Sequence, residues 1–165
     1  MSSSDRRTFL AGLLALLLAG CGFEPAYAPG GPASGLLDQV RVDDPADKDD
    51  FDLVERLEER LGRPGSPRFR LSYDVNTKVE SQAITPESVI TRYQLLGNVS
   101  YRLHDIATDS VLSAGEVASF TSYSAVGTSV ATAAGEADAR TRLMRLLADR
   151  MLTELIATSA EWNRR

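Results

Sequence analysis

The sequence predicts an α+β fold, a two-layer sandwich in which a mostly antiparallel four-stranded sheet carries two helices on one face. Residues 68–80 and 91–103 alternate apolar and polar side chains with the period of two that a strand with one wet face requires. Residues 51–61 and 143–156 instead place apolar side chains at helical spacing. Short connections between the long strands favour antiparallel pairing.

The predicted order of elements is strand, helix, three strands, helix. Residues 36–42 predict a short first strand. The first helix ends at Leu61, because Gly62 follows it, and it begins after Asp49 or Asp50, either of which can serve as the N-cap. Its charged face is expected to be solvated: Glu55, Arg56, Glu58, Glu59 and Arg60.

The second half of the chain predicts two further long elements. Residues 111–123 form the last strand, in which Gly115 is expected to mark a β-bulge. The chain becomes helical from about Ser129, with a broad apolar stripe that faces the sheet. The sheet face away from both helices is then polar.

The N-terminal residues 1–20 read as a signal peptide. Arg6 and Arg7 form its positive region, and the apolar run 9–18 is too short for a transmembrane helix, which needs about 20 residues. The segment ends in Leu-Ala-Gly before Cys21, which resembles the bacterial lipobox, where the cysteine receives acyl chains such as palmitate. The paired arginines also resemble a twin-arginine signal, so both export routes stay open.

Two further segments complete the domain organisation. Residues 21–35, rich in Pro and Gly, predict an extended tether behind the lipidated Cys21, and residues 36–165 predict a single domain. Gly22 follows the cysteine, which by resemblance to the sorting rule favours the outer membrane. A net charge of −5 argues against nucleic-acid binding, which requires a basic face.

No catalytic or metal site can be assembled from these residues. His104 is the single histidine and Cys21 the single cysteine, and a lone histidine in a turn is usually solvent-facing. A cluster of aspartates fits solvation and helix capping better than acid–base chemistry: Asp43, Asp44, Asp47, Asp49 and Asp50. The sequence therefore predicts a protein without enzymatic activity, metal or cofactor.

Four arginines are the candidate ligand-binding residues. Arg92 and Arg102 lie on the polar face of one strand, about 33 Å apart, and Arg68 and Arg70 face the same way as each other from the neighbouring strand. Guanidinium groups suit the phosphates and carboxylates of a lipid head group. Solubilisation of the wet sheet face is the alternative for each of them.

The layout as a whole resembles the LptE family of lipopolysaccharide-assembly lipoproteins in its alphaproteobacterial form. The resemblance depends on the order and spacing of residues 18–27, 91–93, 122–123 and 136–139. It implies an outer-membrane, periplasm-facing lipoprotein that sits inside a large LptD-like β-barrel as a plug, helps to assemble it and takes part in lipopolysaccharide transport to the cell surface. Lipopolysaccharide and this barrel are the implied partners.

Two other classes of protein stay open from the sequence. An auxiliary lipoprotein of an ABC-type lipid or solvent-tolerance transporter can have a similar anchor and a small α+β domain. A periplasmic enzyme would need a nucleophile, metal or cofactor site, for which the sequence offers no residues.

Overall fold

Four strands and two helices make up the part of the chain that the computed structural model describes, which is residues 31, 33–84, 90–125 and 127–162. In chain order they are β1 (Val40–Val42), α1 (Lys48–Leu61), β2 (Phe69–Ile84), β3 (Ile90–Asp105), β4 (Val111–Ser124) and α2 (Ser129–Trp162). The predicted order is confirmed. The signal peptide with Arg6 and Arg7, and Cys21, lie outside the described residues.

The strands form one sheet in the order β1-β2-β3-β4. The three long strands pair antiparallel, as predicted, whereas β1 pairs parallel to β2. A parallel pair needs a crossover connection, and α1 supplies it. The sheet is therefore mixed but mostly antiparallel.

The sequence predicts a first strand over residues 36–42, but β1 spans only Val40–Val42. Residues 33–39 form turns, and Asp38 has a φ of 54°, which an extended strand does not allow. The Asp38 amide donates to the Leu61 carbonyl at 2.7 Å, so this turn closes the C-terminal end of α1. Local geometry at the end of the helix thus overrides the strand pattern.

Both helices pack on one face of the sheet and form a single core with it, which confirms the predicted two-layer architecture. The helix α2 has 34 residues and is therefore about 51 Å long, close to the length of the long strands. The largest fully buried side chains come from both layers: Phe69, Leu36, Leu53, Leu57, Leu61, Leu71, Leu95, Leu103, Leu143, Met144, Leu147 and Met151.

Gly97 of β3 is a point of close approach between α2 and the sheet. A Cβ atom placed there would lie 2.9 Å from Leu143 Cδ2 and 2.9 Å from Leu147 Cδ1. Only a residue without a side chain lets the two leucines pack directly on the β3 backbone.

Gly115 does not mark a bulge, contrary to the expectation. It pairs regularly with Tyr101, and the shift in β3–β4 pairing falls further along, between Leu103 and His104. A Cβ atom on Gly115 would lie 2.6 Å from the Tyr101 hydroxyl, so the glycine leaves room for the ring of its cross-strand neighbour.

The N-cap of α1 is Asp47 rather than Asp49 or Asp50. Asp47 has an extended backbone, and its side chain accepts a hydrogen bond from the Asp50 amide at 2.9 Å. Asp49 instead pairs with Arg140 of α2, with Nη1 and Oδ2 at 2.9 Å. The predicted end of α1 is confirmed. Gly62 follows it with a φ of 83°, and its amide donates to the Glu58 carbonyl.

Polar contacts also join the two helices. Arg56 donates through Nε and Nη2 to the two carboxylate oxygens of Asp149, each at 3.1 Å, and Thr141 donates to buried Asp52 at 2.8 Å. The sequence predicts that the charged face of α1 is solvated. The structure differs at Arg56, because α2 lies alongside this part of the face.

Candidate anion-binding face

The sheet face away from the helices carries the candidate functional residues. Side chains alternate between the two faces of each strand, so the even-numbered residues of β2 and of β3 point outward while their odd-numbered neighbours line the core. The polar outer face is the one that the sequence predicts. Its main exception is an apolar cross-strand pair, Leu96 and Phe120, of which Phe120 is 59% exposed.

Strand pairing brings three arginines together at one end of this face. Arg41 of β1 lies opposite Arg70 of β2, and Arg70 lies opposite His104 of β3. Arg102 lies opposite Ser72, so it is the diagonal neighbour of Arg70, with Cα atoms about 7–8 Å apart. We call Arg41, Arg70 and Arg102 the arginine cluster.

The arginine cluster forms no ion pair with any residue that the structure describes. Arg41 and Arg102 are exposed and Arg70 is half-buried. Asp74 of β2 and Glu116 of β4 are diagonal neighbours of Arg102, and Asp43 follows β1, but none of these carboxylates forms an ion pair with the cluster. Three guanidinium groups this close repel one another, and an oxyanion bound between them would relieve the repulsion.

His104 lies opposite Arg70 and adds a polar group beside the cluster. Its Nε2 lies 3.2 Å from Ser72 Oγ, and its Nδ1 is buried without a hydrogen-bond partner among the described residues. The sequence predicts a solvent-facing histidine in a turn, which is wrong, because His104 is a half-buried residue of β3.

The four arginines predicted from the sequence do not converge on one site. Arg70 and Arg102 belong to the cluster, but Arg92 lies at the other end of β3, about 33 Å from Arg102. Arg68 precedes β2, where its guanidinium lies 4.8 Å from the Phe69 ring centroid and its Nε 3.9 Å from Asp105 Oδ2.

Sequence reasoning missed Arg41. It stands between two valines in the Val-Arg-Val pattern of β1, which places it on the wet face of a strand. Its position opposite Arg70 follows only from the parallel register, which no pattern in the sequence specifies.

Neither a metal centre nor a membrane helix is found among the described residues. No group of three or more His, Cys, Asp and Glu side chains is arranged to hold a metal ion. Within the same ranges, no helix combines the length and the apolar character needed to cross a bilayer.

The fold is that of a small two-layer α+β domain with an arginine cluster on its outer sheet face. The family model of LptE, described as lipopolysaccharide-assembly, matches residues 37–155, which include five of the six elements in full and most of α2. The chain therefore belongs to the LptE family. No curated protein matches the sequence.

Solved structures confirm the fold. A Caulobacter crescentus CB15 protein classed as a lipoprotein superposes with a TM-score of 0.66 at 23% identity, covering 80% of this chain and 98% of that one. The rare lipoprotein B of Shewanella oneidensis superposes with a TM-score of 0.59 at 13% identity, covering 76% and 97%. An uncharacterised lipoprotein B of Nitrosomonas europaea gives 0.59 at 14% identity, covering 78% and 88%.

Proposed function

We propose that this chain is a lipid-anchored outer-membrane protein that plugs and helps to assemble an LptD-like β-barrel and takes part in lipopolysaccharide transport to the cell surface. The observation that carries the proposal is the match to the lipopolysaccharide-assembly family over residues 37–155. It favours this function over that of an auxiliary transporter lipoprotein.

The architecture supports a plug. The lumen of a large outer-membrane barrel is polar. This domain offers a polar sheet face on one side, while its apolar side chains are used internally between the sheet and the helices. Such a domain can fill a wet lumen without exposing its core, and it has no need of enzymatic activity or a cofactor there.

The anchor rests on Cys21. Acyl chains on this cysteine contribute about 0.8 kcal/mol for each buried CH₂ group, so several chains hold the protein on the membrane permanently. The tether of residues 21–35 then lets the domain face the periplasm and enter the barrel from that side. Replacement of Cys21 by Ser is expected to abolish palmitate labelling and release the protein from the membrane fraction.

The arginine cluster is the proposed contact for lipopolysaccharide. The anionic groups of lipopolysaccharide are phosphates and carboxylates, and guanidinium groups bind both through paired hydrogen bonds. The exposed Arg41 and Arg102 with half-buried Arg70 between them form the densest positive region of the outer face. Arg68 and Arg92 lie apart from the cluster and would contact lipopolysaccharide separately.

The plug is tested by purifying the tagged, lipidated chain from detergent-solubilised outer membranes and identifying the co-purifying proteins by mass spectrometry. Near-stoichiometric recovery of one large β-barrel protein is expected. Depletion of the chain should also reduce the amount of folded barrel. Recovery of a transporter ATPase and permease, or of the free lipoprotein alone, would contradict the proposal.

The lipopolysaccharide contact is tested with the triple variant Arg41→Gln, Arg70→Gln, Arg102→Gln. We expect its affinity for lipopolysaccharide to fall at least about tenfold, because charged hydrogen bonds contribute about 1.5–3 kcal/mol each. Arg145→Gln, an exposed arginine of α2, is the matched control and should bind like the wild type. Equal affinity of all three proteins would leave the cluster with a solubilising role only.

A further inference from the structure

The edge of β2 that faces away from β3 is only partly covered. The three-residue strand β1 pairs with Phe69–Leu71 and leaves most of the 16-residue β2 beyond it. Among the residues that the structure describes, no strand or loop makes a backbone hydrogen bond to this edge between Tyr73 and Val79. An open edge of this length is a template for another strand.

The hydrogen bonds at β1 show which residues of β2 present their backbone groups to the open edge. The Phe69 amide donates to the Gln39 carbonyl, and the Leu71 carbonyl accepts from the Asp43 amide, each at 3.0 Å. Backbone groups of a strand alternate in direction with a period of two. The amides and carbonyls of Tyr73, Val75, Thr77 and Val79 therefore point to the open edge.

The opposite edge of the sheet is treated differently. There the Ala118 carbonyl of β4 accepts a hydrogen bond from Arg150, a residue of α2. The same helix packs against β4 through Thr121, whose hydroxyl donates to the Ala139 carbonyl at 2.9 Å. Arg150 of α2 thus occupies one carbonyl group of the β4 edge, whereas the described part of the chain offers β2 no such contact between Tyr73 and Val79.

The outer side chains along the open edge form a self-complementary pattern. Asp74 and Lys78 are exposed and stand two positions on either side of exposed Asn76. When a strand pairs antiparallel with a copy of itself about its midpoint, residues equally far from the midpoint face each other. With Asn76 as the midpoint, Asp74 of each copy faces Lys78 of the other, so the two-fold axis creates two such pairs.

We propose that the open edge of β2 binds the same edge of a second copy of this chain, antiparallel and centred on Asn76, so that the two sheets join into one. This inference goes beyond the proposed function and does not depend on it.

The backbone register agrees with the charge pattern. About Asn76, Tyr73 faces Val79 of the second copy and Val75 faces Thr77, and these are the residues whose amides and carbonyls point to the open edge. The Asp74–Lys78 pairs then fall at the non-hydrogen-bonded positions, where Cα atoms are about 4.5 Å apart and side chains approach most closely. A centre shifted by one residue, to Val75 or Thr77, would keep the backbone match but place Asp74 opposite Asn76 or Glu80, so the charge pairs select the centre at Asn76.

The ends of the paired segment are also defined. On one side β1 occupies the edge as far as Leu71. On the other side the pairing of β2 with β3 shifts between Ser81 and Ala83, which ends the regular strand. The segment between these limits is regular, and Lys78, which pairs with Glu80 at 2.7 Å in the single copy, has further donors for Asp74.

Disulfide crosslinking of the full-length lipidated chain in membranes tests the contact. Asn76→Cys places two thiols across the two-fold axis, within the Cα separation that a disulfide allows. We expect a reducible dimer at twice the monomer mass. Ser100→Cys, also exposed but on the interior strand β3, is the matched control, and the wild-type chain controls for Cys21.

Charge exchange makes the test specific for this register. In the Asn76→Cys background, Asp74→Lys or Lys78→Asp alone creates two like-charge pairs and should lower the dimer fraction about tenfold. The double variant restores opposite charges across the axis and should recover the dimer. Crosslinking no greater than in Ser100→Cys, equal crosslinking in the single and double charge variants, or a crosslink to a polypeptide of another mass would each overturn the proposal.

Discussion

The two faces of the sheet are fixed by different forces. On the inner face, Leu95 and Val99 are fully buried, and the glycine between them has no room for even a methyl group beneath α2. On the outer face, Arg41 and Arg102 are exposed and form no ion pair with a described carboxylate. The space beneath α2 limits which side chains fit on the inner face. On the outer face, strand alternation sets which residues point outward, and packing does not limit their size.

This difference separates stability from ligand chemistry. Substitutions on the inner face create cavities or overlaps that the close-packed core cannot absorb. Substitutions on the outer face change charge at little structural cost. If the two faces are independent, inner-face substitutions should change stability strongly and outer-face substitutions should change it little.

The largest effect is expected for Leu147→Ala, which removes a fully buried side chain from the helix that covers the sheet. The cavity and the lost burial should lower the free energy of unfolding by about 2–5 kcal/mol, measured by urea denaturation. Leu146→Ala, the adjacent residue of the same helix at 44% exposure, is the control and should change it by about 0.5 kcal/mol or less. Equal losses would show that the inner face is not closely packed.

Gly97→Val is expected to have the next largest effect. Its new side chain would overlap Leu143 and Leu147, whose atoms lie 2.9 Å from the Cβ position, and should lower the free energy of unfolding by about 1–3 kcal/mol. Gly65→Val is the matched control, because nothing lies within 4 Å of the Cβ position there. A stable Gly97→Val variant would mean that α2 can move away from β3.

The sequence predicts both faces of the sheet, but not the contacts between distant elements. Alternation alone identifies β2 and β3, because a half-buried strand has few other ways to satisfy that pattern. The Arg56–Asp149 pair joins residues 93 positions apart, and only the packing of α1 on α2 brings them together. The N-cap at Asp47 was missed because several neighbouring aspartates satisfy the same capping chemistry.

The candidate site divides in the same way. That Arg70 and Arg102 face outward is a local property of their strands, and it is predicted. That Arg41 joins them depends on a parallel register between β1 and β2, which α1 and the turn at Asp38 determine. Separation along β3 also shows that Arg92 belongs to another part of the face.

A smaller effect is expected at high pH. Tyr101 is 3% exposed, and burial, followed by the hydrogen bond to Glu154, raises the pKa of its hydroxyl above the ordinary 10.0. The folded state keeps this proton after the unfolded state has lost it, so stability is full below pH 10 and falls above it.

Tyr101→Phe removes this titration but keeps the ring. Between pH 8 and pH 11 the wild type should therefore lose about 1.4 kcal/mol more of its unfolding free energy than the variant does. Urea denaturation at the two pH values measures the difference. Identical losses in both proteins would place the hydroxyl in an environment that does not favour its protonated form.

The smallest effect on stability is expected for Arg102→Gln on the outer face. The exposed guanidinium makes no ion pair with a described residue, so the free energy of unfolding should change by about 0.5 kcal/mol or less. This measurement decides how the lipopolysaccharide experiment is interpreted. If the free energy of unfolding is unchanged, weaker lipopolysaccharide binding by the cluster variant reports the loss of a direct contact. If Arg102→Gln is destabilised, the outer face also contributes to stability. Weaker binding would then follow from partial unfolding.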